Sequence, residues 1–230
     1  MESWWVAATD NPRAYRDAAS VASLVAGALS PDPAAREAAA GALSRVVKAL
    51  DDDPIDESIR AVACRLPELV RGLIDPDPFY SGQMISIVRR IAPDAPTVDA
   101  LLSLLVERPP EDRELLVAAL GLCVDEAWSE RVEAAVAACL DDPHTRDAAA
   151  YVFYSRAPVI SRAGTVRSLG AAAIAASAGA SEHAIGALCR LLGGDRDALA
   201  SAELIDVGKA RPDLRTAIAK VRGWFARSSG

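Results

Sequence analysis

Residues 141–156, DDPHTRDAAAYVFYSR, are the part of the chain whose residue types and spacing could do chemistry. In a helix, His144, Asp147, Tyr151 and Tyr154 follow a three-four-three spacing, which predicts that they share one side. This side offers two aromatic faces with polar tips, an imidazole and a carboxylate. Two uses are open: a binding patch for a partner or ligand, or packing of both tyrosines between repeats with their hydroxyls at the rim.

The same stretch separates a candidate catalytic group from a structural pair. His144 lies beside the predicted helix start, where the helix dipole favours a neutral imidazole that could act as a base. No nucleophile is identifiable near it in sequence. We expect Val152 and Phe153 to face the core. Arg156, just past Tyr154, could bring an anionic group to the rim, although a helix C-terminus favours an arginine in any case.

Four residues elsewhere have either a contact role or an ordinary structural one. Trp4 and Trp5 are adjacent and cannot fully share a helix face, so one is expected to cover the end of the fold and the other to be free for a partner. Tyr80 opens a helix in DPDPFYSGQM, where it either packs in the core or contacts a ligand. His183 is expected to be a solvated residue in the first turn of a helix that Ser181 caps.

Motifs for the common catalytic chemistries are missing from the sequence. It contains no phosphate-binding loop, no GxSxG elbow and no HExxH pair. The four cysteines lack metal-ligand spacing and lie in apolar runs, which predicts buried thiols, no metal and no cofactor; they are Cys64, Cys123, Cys139 and Cys189.

Composition limits the kinds of binding partner and the cellular location that we expect. The formal charge is −7 and the pI is about 4.9, which argues against nucleic acid and could suit a basic protein partner. The first residues, MESWWVAATD, do not resemble a signal peptide, and no apolar stretch is long enough to span a membrane. We therefore expect a cytoplasmic protein without membrane contact. The excess of arginine over lysine, with the alanine and proline content, indicates a GC-rich bacterial genome.

Asp-Pro and Asn-Pro pairs punctuate the chain and predict helix starts, because the side chain caps an N–H and proline has none to leave unpaired. Between them, apolar residues recur with helical period, and no segment alternates as a strand would. Pro67 should split one long helix. The predicted helices lie near 3–8, 12–29, 33–50, 55–74, 78–91, 97–107, 111–124, 129–140, 145–156, 160–178, 182–192, 196–208 and 212–226.

The helix starts also repeat. Intervals of 43, 34 and 33 residues separate Pro33, Pro76, Pro110 and Pro143, and helix pairs at such a period are typical of an α-solenoid. The phrases LSPDPAAREAAAGAL, LIDPDPFY and LDDPHTRDAAAYVF share an apolar end, Asp-Pro and a new helix. In this the chain resembles the HEAT-repeat family in a loose bacterial form, mainly over residues 11–156.

The resemblance implies an all-α superhelix of stacked antiparallel helix pairs, with inner helices lining a concave binding surface and no catalytic residues carried over. We predict a single domain over 1–230, with an N-terminal cap over 1–10, the clearest repeats over 11–156, and divergent repeats and a cap over 157–230. Trp224 and Phe225 are expected to cover the last pair.

Three function classes remain. The first is a protein-interaction module, as a scaffold or an inhibitor or immunity-type protein, with a protein partner or self-association. The second is an enzyme or enzyme subunit acting on a small molecule in bacterial specialised metabolism. The third, a HEAT-like DNA glycosylase, would need a basic binding surface, which the overall charge does not favour.

Overall fold

Helices make up every regular element of the protein in the residues described here. A computed structural model describes residues 4–176 and 178–228, and within helices it leaves out the side chains of 178–180 and 224–228. The all-α prediction is confirmed for these ranges. The expected cap by Trp224 and Phe225 lies outside the side chains that are described.

Fourteen α-helices occur in these ranges, and most begin and end within a few residues of the prediction. They are α1 (Trp4–Asp10), α2 (Ala18–Ala28), α3 (Pro33–Asp52), α4 (Asp56–Ala63), α5 (Leu66–Leu69), α6 (Pro78–Ile91), α7 (Ala95–Glu107), α8 (Glu114–Leu120), α9 (Glu130–Ala138), α10 (Arg146–Arg156), α11 (Ala163–Ala175), α12 (Ala178–Arg190), α13 (Asp197–Ala210) and α14 (Arg215–Ser228). Short 3-10 turns lie at Pro12–Tyr15, Val70–Ile74, Pro110–Asp112, Asp125–Ala127, Ala157–Val159 and Pro212–Leu214.

Asp-Pro pairs start only some of these helices. Asp32 and Asp77 each accept a hydrogen bond from a backbone N–H of the first turn, with proline at the first helical position. Asp53 instead ends α3, and α10 begins three residues after Pro143. The predicted helix over 55–74 is split as expected, with Pro67 in the first turn of α5 just after the break that follows α4.

The helices group into two compact units. The first comprises Met1–Arg108 and Leu122–Ala127. Within it, α1 packs on α3 and α3 packs on α6, while α2 packs on α4 and α5 packs on α7. The pair α2 and α3 joins these two rows, and the short connection between them makes the two helices antiparallel.

The second unit comprises Pro109–Gly121 and Trp128–Gly230 and repeats this arrangement. One row consists of α8, α10, α12 and α14, and the other of α9, α11 and α13. Each helix thus packs on the helix two places further along the chain, with cross-row pairs such as α11 and α12. Stacked antiparallel pairs of this kind are the α-solenoid arrangement that the sequence predicts. A single domain over the whole chain stays a prediction.

Small and branched apolar side chains form the core of both units. Phe153, Leu24, Met84 and Leu116 are among the largest side chains that are fully buried. Three of the cysteines are buried as predicted, and burial raises the pKa of the Cys189 thiol to about 11, so that it stays protonated. The fourth, Cys64, is exposed, because it follows the last turn of α4 where the chain bends toward α5.

Among the described helices, none has the length and apolar character needed to cross a bilayer.

Candidate functional site

The two sides of α10 differ in the way that the helical phase predicts. Val152 and Phe153 are 2% and 0% exposed, whereas Tyr151 is 55% exposed. Phe153 meets the indole of Trp128 edge-on, with ring centroids 6.3 Å apart. The expectation that Val152 and Phe153 form the structural pair is therefore confirmed.

His144 lies outside the helix and does not join the tyrosine side. It is exposed in a turn, where its backbone N–H donates to the Asp142 carboxylate at 3.0 Å. Two hydrogen bonds fix the turn to the residues after α9: Thr145 Oγ1 donates to the Cys139 carbonyl, and Arg146 Nε donates to the Leu140 carbonyl. With α10 starting only at Arg146, the three-four-three spacing no longer places His144 beside Asp147.

His183 on α12 occupies the place that the sequence assigned to His144. Its Nδ1 lies 3.0 Å from Asp147 Oδ1, and its ring is T-shaped to Tyr151 with centroids 5.2 Å apart. The ring of Tyr154 lies 6.2 Å from the same imidazole. Asp147, Tyr151, Tyr154 and His183, together with Arg190, are called the aromatic cluster below.

The packing of α12 against α10 positions this cluster. A β-carbon at Gly186 would lie 2.7 Å from Tyr154 Cδ2, so the glycine lets the tyrosine ring lie directly on the α12 backbone. The guanidinium of Arg190 stands 5.3 Å from the centroid of the Tyr154 ring, and its Nη1 donates to the Tyr154 carbonyl at 2.7 Å. Tyr154 is thereby half-buried and braced, while Tyr151 keeps an exposed face.

Ser181 does not cap α12, and His183 is more than a solvated residue. The helix already begins at Ala178, and Ser181 is fully buried with its hydroxyl donating to the carbonyls of Ala173 and Ala176 at 2.9 and 3.3 Å. These bonds tie α12 to the end of α11. They hold the first turns of the helix that carries His183 against the end of α11.

Arg156 belongs to the opposite side of α10. Its Nε donates to the Gly121 carbonyl at 3.0 Å, and its guanidinium stands 5.5 Å from the centroid of the Trp128 ring. Val152 packs on Gly121 as well, since a β-carbon there would lie 2.5 Å from Val152 Cγ2. Arg156 therefore supports the packing of α10 on α8, and the cation beside Tyr154 is Arg190.

Tyr80 is a core residue in the first unit. It is 4% exposed, its hydroxyl donates to the Ala28 carbonyl at 2.7 Å, and the Arg36 guanidinium stands 4.9 Å from its ring centroid. Burial raises the pKa of the hydroxyl above its ordinary value. Of the two uses considered for Tyr80, the structure shows core packing, and the neighbouring Phe79 is the exposed ring at 49%.

Trp4 and Trp5 differ in exposure and in the residues that they contact. A β-carbon at Gly27 would lie 2.5 Å from Trp5 Cη2, so Trp5 packs closely against α2. Trp4 is 38% exposed and stacks on Tyr15 with centroids 5.7 Å apart. A partner contact by Trp4 stays a prediction.

The aromatic cluster has the parts of a contact surface and only some of the parts of an active site. A carboxylate that orients an imidazole is the base-and-orienter half of a triad, but the cluster contains no serine or cysteine to serve as nucleophile. Its exposed Tyr151 and Asp147 do not form the water-excluded space that strengthens electrostatic catalysis. Among the described residues, no group of three or more histidine, cysteine or carboxylate side chains could hold a metal ion.

Three of the cavities that the described residues form lie elsewhere, and Tyr151 lines none of these three. Two are in the first unit: about 560 Å³ between Val70–Ile74 and α7, and about 400 Å³ over α3. The third, of about 260 Å³, lies between α13 and α14 in the second unit. The closed pocket around Tyr151 that would favour an enzyme is not among these.

Comparison with known proteins does not identify the function of this chain. No protein-family model matches the chain, and no curated protein matches it in sequence. Among solved structures, it is similar to a designed armadillo repeat protein, with a TM-score of 0.49 and 15% sequence identity over 83% of this chain and 88% of that one. A likeness at this level implies no shared function.

Proposed function

We propose that the protein is a helical-repeat binding module that contacts a protein partner through the aromatic cluster. The observation that carries this proposal is the Tyr151 ring, which is 55% exposed yet held edge-on against His183. An aromatic side chain that is already ordered loses little conformational entropy when it is buried by a partner, and tyrosine is enriched among residues that dominate binding energy.

The charge beside Tyr151 favours a basic partner. The Asp147 side chain is 68% exposed while one of its oxygens meets His183, so a carboxylate and an aromatic face are presented together. An arginine of the partner could pair with the carboxylate and stack on the ring at once. The net charge of −7 would speed the approach of such a partner.

The proposal can be made more specific about the repeat family, the location and the mode of action. We propose a HEAT-like repeat protein of a bacterial cytoplasm that acts by contact, as a scaffold or as an inhibitor or immunity-type protein. The stacked helix pairs of each unit support the repeat assignment, and the lack of a serine or cysteine nucleophile in the aromatic cluster supports binding over catalysis. Self-association is the other form that such contact could take.

Replacing Tyr151 with alanine should weaken partner binding strongly while leaving the fold intact. The partner would be recovered by affinity purification from the native host and its binding remeasured with purified proteins. We expect at least a tenfold loss of affinity, since an aromatic anchor is worth about 2 kcal/mol or more at the centre of an interface. The loss in stability should stay under about 1 kcal/mol, because the ring is mostly exposed.

Val106→Ser provides the matched control, because Val106 is an exposed apolar side chain of the first unit, at 82% exposure. This variant should bind the partner as the wild type does. Unchanged affinity of the Tyr151 variant would contradict the proposal. So would equal losses in both variants, which would indicate a nonspecific apolar contact.

An enzyme acting on a small molecule is the second candidate. The observation in its favour is the cavity of about 560 Å³ in the first unit, whose size is that of ligand pockets. It is lined by charged and polar side chains that include Arg71, Asp75, Ser103 and Glu107. Repeated co-purification of a metabolite, with no protein partner, would make this candidate the better one. A HEAT-like DNA glycosylase has no such observation in its favour.

A further inference from the structure

A groove between α13 and α14 combines an apolar floor with a cationic rim. Leu204 and Ile218 form the floor and are 2% and 8% exposed, and Ile205 stands at the edge with 55% of its surface exposed. Gly208 also lines the groove. A β-carbon at this glycine would lie 3.7 Å from Arg215 Cγ and 3.8 Å from Ile218 Cδ1, which are ordinary contact distances.

The rim carries the opposite charge to the rest of the protein. Lys209, Arg215 and Arg222 all line the groove, and the ammonium of Lys209 is paired with Asp206 at 2.9 Å. Arg215 is fixed in place, because its Nε donates to the Gly208 carbonyl at 2.7 Å. The helix α14 has four basic and no acidic residues in a chain whose net charge is −7, and these are Arg215, Lys220, Arg222 and Arg227.

The size of the groove limits the kind of ligand that can fill it. Its volume of about 260 Å³ is below the range of roughly 300–1,000 Å³ that is usual for small-molecule pockets. A groove of this size accepts an apolar side chain of a protein segment that lies across it. Nucleic acid fits it less well, because the floor is aliphatic and three cations are few for a phosphate-binding surface.

We propose that the groove between α13 and α14 docks an acidic protein segment that inserts an apolar side chain between Ile205 and Ile218. Carboxylates of the segment would pair with Arg215 and Arg222 at the rim. This surface is separate from the aromatic cluster and takes a partner of opposite charge, so the two sites can be tested independently.

The probe is a fluorescein-labelled helical peptide of glutamate and leucine, in an amphipathic pattern, titrated with the full-length protein and followed by fluorescence anisotropy. Two control peptides replace all leucines with serine or all glutamates with lysine. We expect binding of the first peptide alone. Its affinity should fall at least tenfold in Ile205→Ser and in Arg222→Glu. Lys48→Glu places the same charge change on the exposed face of α3 and should leave binding unchanged.

Several outcomes would overturn the proposal. Equal binding of the serine peptide would show that the groove floor takes no part, and an equal loss in Lys48→Glu would show that only overall charge matters. A duplex oligonucleotide that binds as tightly, with the same dependence on Arg222, would indicate a general polyanion surface. Dimerisation in analytical ultracentrifugation that Ile205→Ser abolishes would identify a second copy as the occupant. Thermal melts verify that each variant is folded.

Discussion

Phe153→Ala should lower the free energy of unfolding by about 3–5 kcal/mol, the usual cost of emptying a buried aromatic site. Phe153 is 0% exposed and meets Trp128 edge-on, so its removal would leave a cavity in the centre of the second unit. Urea unfolding followed by circular dichroism measures this change. Phe153→Leu refills much of the space and should recover a large part of the loss.

The matched control for this prediction lies two positions earlier on the same helix. Tyr151→Ala removes a ring of similar size whose surface is 55% exposed, and it should cost less than about 1 kcal/mol. If the Tyr151 variant unfolds as readily as the Phe153 variant, both rings are structural. That result would contradict the proposal that the aromatic cluster is a contact surface.

Glu133→Ala should lower the free energy of unfolding by about 2–4 kcal/mol. It would leave the buried Thr165 hydroxyl and three part-buried donors without their acceptor, and an unsatisfied buried donor costs roughly 1–3 kcal/mol. Glu133 on α9 is 1% exposed and accepts four hydrogen bonds from the start of α11. The donors are the N–H and the hydroxyl of Ser161, the N–H of Arg162 and the hydroxyl of Thr165, at 2.6–3.0 Å. No side chain of α11 caps its own N-terminus, so this carboxylate supplies the cap from another helix.

The same residue predicts how stability depends on pH. Burial raises the pKa of the Glu133 carboxyl, but the hydrogen bonds from Thr165, Ser161 and Arg162 outweigh burial and hold the pKa below its ordinary value. A carboxyl whose pKa is lower in the folded protein stabilises it above the unfolded pKa of about 4.3, and the effect is lost as pH falls through the folded pKa. The difference between wild type and Glu133→Ala should therefore be full at pH 7 and shrink below about pH 4.

Glu130→Ala is the control, because Glu130 is an exposed carboxylate in the first turn of the same helix. It should change the free energy of unfolding by no more than about 1 kcal/mol, the scale of a helix-dipole effect. Equal effects of the two substitutions, or a Glu133 effect that does not change with pH, would show that the four hydrogen bonds contribute little.

Local signals in the sequence were sufficient for the helices and for the phase of α10. Capping and proline rules placed Asp32 and Asp77 at helix starts, and the predicted helix over 55–74 is split just before Pro67. Helical phase alone separated Val152 and Phe153 from Tyr151, because burial follows the period of 3.6 residues within one helix.

The candidate site depended on contacts between distant segments, which phase within one helix does not reveal. His183 reaches Asp147 because α12 packs on α10, two helices away, and Glu133 reaches Thr165 in the same way between α9 and α11. A search for polar residues that face each other at the spacing of two helices could have found both pairs. His144 was misplaced because the Asp142-Pro143 signal marks a turn, with the helix starting later.

Site-specific photo-crosslinking tests the central claim, that the exposed ring of Tyr151 is the point of contact with a partner, most directly. A benzophenone amino acid would replace Tyr151 in the native host, and Val106 in a control. Our account predicts one covalent adduct with a single protein from position 151 and none from position 106. The absence of an adduct at 151, or the same adducts from both positions, would contradict it.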